Sequence, residues 1–162
     1  MTTELYKICT LGQGSLFIMP KPSKENLHND IKFYQSQGVT KVISLLLPAE
    51  IRKLEMTDEG DACEQRGLSF CSFSIKDMSV PDLKLLQQFN QYLKQDLLNG
   101  EQVAIHCHGG RGRAGTVAIT LMVEFGFDAE TAIEMACEAR GDRVPVNDAQ
   151  LKFVKAYPPC SI

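Results

Sequence analysis

The chain has 162 residues, 44% of them hydrophobic, and a formal net charge of −3, values that suit one domain built on one core. That charge gives no overall pull toward nucleic acid or an anionic membrane surface. No apolar run approaches the roughly eighteen residues a membrane span needs, which argues against stable insertion.

Taken in order, residues 6–9 and 16–19 read as two short strands around Gly12, Gln13, Gly14 and Ser15. No helical pattern follows that Gly-x-Gly-Ser, so it predicts a hairpin turn and not a ligand loop. Pro20-Lys-Pro-Ser is a connector. A helix is predicted over 29–37, closed by Gly38, and an apolar strand over 39–45. Pro48 opens a short helical stretch at 49–54, where Glu50, Arg52, Lys53 and the following Glu55 read as a solvated face. A second helical piece at 58–66 stops at Gly67, and 68–74 reads as another strand.

Residues 82–98 carry the clearest amphipathic pattern. Leu83, Leu86, Phe89, Leu93 and Leu97 recur at helical spacing, with Pro81 at the start and Gly100 past the end. A short buried strand at 103–105 follows, then a loop, then a segment at 114–125 that is apolar nearly all round and therefore predicted to lie in the domain centre. Asp128 caps a further helix ending at Arg140 before Gly141, and a last helix spans 147–157. Strands alternating with helices predict an α/β fold: a single domain over 1–162, with a central, mostly parallel twisted sheet flanked by helices on both faces.

The loop after the 103–105 strand concentrates the chemistry. His106 and Cys107 lead into Gly109, Gly110 and Gly112, and Arg113 opens the next helix. Strand, glycine-rich loop and helix N-terminus form a layout that binds phosphate through inward backbone N–H groups. A thiol becomes a nucleophile as its thiolate. Loop amides, the helix N-terminus and an arginine can lower its pKa from about 8.5 to roughly 3.5–7.5. A shift of about three units is about 4 kcal/mol of selective stabilisation of the anion. Arg113 offers a planar fork for two phosphoryl oxygens, and the glycines let the backbone approach a ligand without Cβ clashes. Cys-x5-Arg alone recurs by chance, and a buried cysteine is commonly just a core residue. The conjunction of strand, His-Cys, glycines, Arg and helix in register is specific.

Phosphoryl transfer to a thiolate also needs a proton for the departing oxygen. The 75–82 loop precedes the long helix and offers Asp77 and Asp82. Asp82 is explained by the helix start, where a carboxylate stabilises the dipole. Asp77 has no such structural duty and is the favoured general acid.

This loop resembles the signature of the cysteine-dependent protein tyrosine phosphatase superfamily. With Asp77 placed five residues before Asp82 and the Asp30…Gln37-Gly38-Val39 segment, most of the chain is similar to the small dual-specificity phosphatases, the kinase-associated branch above all. The resemblance implies that Cys107 forms a phosphocysteine, Arg113 binds phosphate, Asp77 is the acid and His106 tunes the thiolate. It implies a substrate cradle of His108, Gly109, Gly110, Arg111 and Gly112, and a water-positioning Gln150; an exposed helix residue explains Gln150 equally well. Many relatives carry a hydroxyl after the signature arginine, whereas this chain has Ala114, so breakdown of the intermediate is expected to be slow.

The expected substrates are phosphotyrosine, and also phosphoserine or phosphothreonine, in proteins. His108 and Arg111 add positive charge that resembles phosphoinositide or inositol phosphate phosphatases, an alternative reading; for Arg111 a solvent-facing loop charge is the competing one. A non-catalytic phosphate-recognising scaffold is a second alternative. Sulfur transfer or arsenate reduction would also use a cysteine in an anion loop, but sulfur transfer does not require Asp77. No metal and no cofactor are expected, nor a nucleic-acid partner, and the protein is expected to be a monomer. Six cysteines without a Cys-x-x-Cys pair argue for free thiols and a cytoplasmic setting. The N-terminus lacks a secretory pattern, and Cys160, third from the end, is misplaced for prenylation.

Overall fold

The computed structural model describes residues 3–160. Met1, Thr2, Ser161 and Ile162, on which part of the leader and prenylation readings falls, lie outside the described residues. The elements run β1 (Tyr6–Leu11), β2 (Gly14–Met19), α1 (Leu27–Ser36), β3 (Lys41–Ser44), α2 (Pro48–Lys53), α3 (Glu59–Gln65), β4 (Ser69–Ser72), α4 (Leu83–Leu98), β5 (Gln102–His106), α5 (Arg113–Glu124), α6 (Ala129–Arg140) and α7 (Asp148–Ala156). The α/β fold is therefore as expected.

The sheet order is β1-β2-β5-β3-β4, parallel throughout except for the β1–β2 hairpin. The hairpin turns on Gly12 and Gln13 alone, and Gly14 and Ser15 already pair with β1. Strand β5 is the centre of the sheet, and β2, β5 and β3 are covered on both faces. That is why all three read as unbroken apolar runs and not as alternation. Leu16, Ile18, Ile43, Val103 and Ile105 face a layer containing α4, α5, α6 and α7. Phe17, Met19, Val42 and Ala104 face α1 and α3 through Ile31, Tyr34, Ala62 and Cys63. Helices thus cover both faces, with α5 buried on nearly every side.

Three local readings change. The first turn of α4 stands clear of the core: Leu83 is exposed, and burial begins at Leu86. Buried Asn90 interrupts the apolar stripe, its Nδ2 donating to the Thr120 hydroxyl at 3.0 Å and the Tyr157 hydroxyl at 3.1 Å. Arg52, Lys53 and Glu55 are exposed as expected, but Glu50 turns inward to meet Arg113. No helix among the described residues is long and apolar enough to cross a membrane, and the six cysteines are free.

Candidate active site

The carboxyl ends of the parallel strands β2, β5 and β3 share one edge of the sheet, where open α/β folds bind ligands. Strand β5 delivers His106 and Cys107 to that edge, and α5 begins at Arg113. The loop between them turns at Gly110, whose φ is +79°. A Cβ there would fall 2.4–2.6 Å from the backbone of Met19 and Pro20, so any side chain would push the loop off the end of β2. The loop is also tied from outside. Lys21 N–H donates to the His108 carbonyl at 3.2 Å, and Arg140 donates to the Gly109 carbonyl at 3.2 Å. Arg111 forms an ion pair with Asp142 at 3.0 Å.

Arg113 is almost completely buried. Nη1 donates to Glu50 Oε1 at 2.6 Å and to the Ile75 carbonyl at 2.9 Å, and Nη2 donates to Glu50 Oε2 at 3.0 Å. Nη2 also lies 3.4 Å from Asp77 Oδ1. Among the described residues Nε has no partner, which leaves one buried, charged donor for an incoming acceptor. Burial alone would raise the Glu50 pKa. The bonds from Arg113 and from Leu47 N–H outweigh it and hold the carboxyl below its ordinary value. The pairing is therefore complete above the usual carboxylate range and is lost as pH falls through the lowered value. Burial likewise disfavours charge on Arg113, yet Glu50, Cys107 and Asp77 together raise its pKa.

The residues at the pocket are Cys107, His108, Gly109, Arg111, Gly112 and Arg113 from the loop, with Asp77, Met78 and Val146 opposite; its volume is about 190 Å³. Asp77 is open to solvent, its side chain 64% exposed. Asp82 faces away from this chemistry, capping α4 by accepting from Leu85 N–H at 3.0 Å.

His106 lies beneath the pocket and outside it, fully buried. Its Nδ1 is 3.1 Å from the Cys107 carbonyl, so Nδ1 carries the hydrogen and donates. Its Nε2 meets Glu59 Oε2 at 2.5 Å. Gln150 is also fully buried, which overturns its reading as an exposed helix residue. Its Oε1 accepts from Val146 N–H at 3.2 Å and its Nε2 donates to the Ser79 carbonyl at 3.4 Å. A Cβ on Gly112 would come 3.1 Å from Val146 Cγ2 and 3.2–3.3 Å from the Gln150 amide, so a side chain there would press on both. The Thr116 hydroxyl is engaged with the Gly112 carbonyl at 2.8 Å and supplies nothing to the cysteine.

Glu50 and Glu59 were missed by sequence reasoning. The capping of α2 was a faint signal for Glu50, which accepts from Leu47 N–H at 3.0 Å as a third helical residue should. Nothing in the sequence pairs Glu59 with His106.

With this geometry in place, the comparisons are consistent with one another. The protein tyrosine phosphatase type IVA 3 of Mus musculus is 28% identical over 144 residues, covering 88% of this chain and 78% of its own. The structure of kinase associated phosphatase superposes with a TM-score of 0.80 at 20% identity, covering 95% of this chain and 93% of that one. PTPMT1 in complex with PI(5)P superposes at 0.75 with 21% identity, covering 94% and 93%. At those identities the two structures speak for the fold alone. A family model described as "Tc-R-P: Polymorphic toxin system, DSP-PTPase phosphatase" matches residues 18–127, from within β2 to just past α5. That span is well over half of the chain and includes Asp77, the whole cysteine loop and Arg113; the chain belongs to this family of DSP-PTPase phosphatases.

Proposed function

We propose that the protein hydrolyses phosphomonoesters in phosphorylated proteins, phosphotyrosine first, through a phosphocysteine on Cys107. The observation that carries this reading is the buried Arg113 with a free Nε, beside Cys107 and opposite Asp77, in one small pocket. The Cys107 thiolate attacks phosphorus and the P–O bond to the leaving group breaks. Asp77 gives its proton to the departing oxygen. Water then attacks the phosphocysteine and gives a proton to the Asp77 carboxylate. The P–S bond breaks, the thiolate re-forms and inorganic phosphate leaves. Arg113 Nε and the amides of residues 108–112 hold the phosphoryl oxygens through both steps. His106, donating to the Cys107 carbonyl, fixes the strand end that presents the thiolate. Gln150, packed against Gly112, is placed to orient the attacking water.

A phosphoinositide is the second reading, favoured by His108 and Arg111 at the pocket and by the likeness to PTPMT1, whose structure holds PI(5)P. Against it, Asp142 already neutralises Arg111. The test is phosphate release in excess EDTA from a phosphotyrosine peptide, phosphoserine and phosphothreonine peptides, and phosphoinositide vesicles at equal enzyme concentration. The phosphotyrosine peptide is expected to turn over fastest. Faster release from the vesicles selects the second reading. No release from any of them by folded protein makes the site a phosphate-recognising scaffold.

Ala114 adds a kinetic expectation. It is fully buried and brings no hydroxyl to the sulfur that must leave in the second step. A hydrogen bond to such a charged acceptor is worth about 1.5–3 kcal/mol. Ala114→Ser is expected to raise kcat by roughly ten- to a hundredfold with kcat/KM nearly unchanged. Rapid-quench kinetics should show a burst of one leaving group per site in the native protein and a smaller one in the variant. No burst and an unaltered kcat would show that this step does not limit turnover.

A further inference from the structure

The turn that presents Asp77 is held in an unfavourable conformation. Ser79 N–H donates to the Lys76 carbonyl at 3.1 Å, closing a four-residue turn. Its third residue, Met78, has φ +63°, the left-handed region where turns normally place glycine. Inside the turn only Asp77 Oδ1 helps, accepting from Met78 N–H at 2.9 Å. The strain must be held from outside.

The brace comes from the start of α7. Asn147 Nδ2 donates to the Met78 carbonyl at 3.0 Å, across 69 residues of sequence. Its other amide atom, Oδ1, accepts from Gln150 N–H at 2.9 Å and caps α7. Gln150 then donates to the next carbonyl of the turn, that of Ser79. One side chain thus fastens the Met78–Ser79 peptide, one residue past Asp77, to the first turn of a packed helix, and the same helix reaches Gly112 in the cysteine loop through Gln150.

We propose that Asn147 is a positioning residue for the general acid: its amide pins the Asp77 turn to α7, so that Asp77 faces Cys107 before any substrate arrives. The inference rests on the phosphatase reading above. It also gives asparagine a chemical reason, because the position needs an acceptor for the cap and a donor for the turn on one short side chain. Aspartate and serine cap helices as well as asparagine, but neither brings an amide N–H to the Met78 carbonyl.

The test compares Asn147→Ser and Asn147→Asp with the native protein on aryl phosphates whose phenols range from strongly to weakly acidic. Both variants are expected to keep the native Tm. On phenyl phosphate, which needs the acid, kcat should fall about tenfold, the scale of a misplaced catalytic group. With a strongly acidic phenol the fall should be within about twofold. In an Asp77→Asn background, Asn147→Ser should cost nothing further. Equal losses across the leaving groups, or a loss that persists without Asp77, would overturn the brace. So would a fall in Tm shared by both variants with no leaving-group dependence. If Asp77→Asn alone left phenyl phosphate turnover intact, the reading of Asp77 as the acid would be overturned first, a distinguishable result.

Discussion

Cys107→Ser is expected to reduce turnover of p-nitrophenyl phosphate by about 10⁴-fold or more while leaving the fold intact, as loss of a nucleophile does elsewhere. A serine hydroxyl is nearly isosteric with the thiol, but an alkoxide forms far less readily than a thiolate and is a poorer leaving group from phosphorus. Arg113 Nε and the loop amides are untouched, so affinity for a phosphotyrosine peptide should stay within a few-fold of the native protein's KM. Calorimetry with the peptide, run beside the assay, separates the two quantities. Undiminished turnover by the serine variant would remove the covalent mechanism altogether.

Asp77→Asn is expected to lower kcat on phenyl phosphate by about 10²–10⁴-fold, the usual worth of a positioned acid. Asp82→Asn should leave kcat within about twofold. Asparagine caps as well as aspartate, so the bond to Leu85 N–H survives the second change. In the first, the group at the pocket can still accept from Met78 N–H but has no acidic proton to give. A larger loss from Asp82→Asn, with folding intact, would reverse the assignment.

How much of this was legible in the sequence follows from how local each piece is. The cysteine loop was, because strand, nucleophile, glycines, arginine and helix are contiguous and each leaves its own mark on the residue pattern. Asp77 was separable from Asp82 because a helix cap is also a local signature, and Leu85 N–H shows that cap formed. The mostly parallel sheet was readable from strand patterns alternating with helical ones. Glu50 was not. Its partner lies 63 residues away, and beside Arg52, Lys53 and Glu55 it looks like one more surface charge. Glu59 and His106 are 47 apart, and a buried polar contact leaves no periodicity. Gln150 was named only through the family resemblance and Asn147 was hidden, for the same reason: a polar residue in the first turn of a helix reads as solvent-facing until another segment closes over it. The site is thus half local motif and half tertiary support, and only the first half can be read along the chain.

The 3.4 Å contact between Arg113 and Asp77 sets an order of events. In the resting protein the guanidinium is gripped firmly by Glu50 and loosely by Asp77, so its two acidic neighbours are unequal tenants. An arriving phosphoryl dianion competes for the same cation, and the looser tenant is the one it can evict. On the proposed mechanism Glu50 keeps the arginine in place while the displaced Asp77 takes up a proton and turns from the guanidinium to the oxygen that is about to depart. On this reading, occupancy of the pocket and release of the acid are one exchange, and a neutral ligand of the same shape would leave Asp77 where it was.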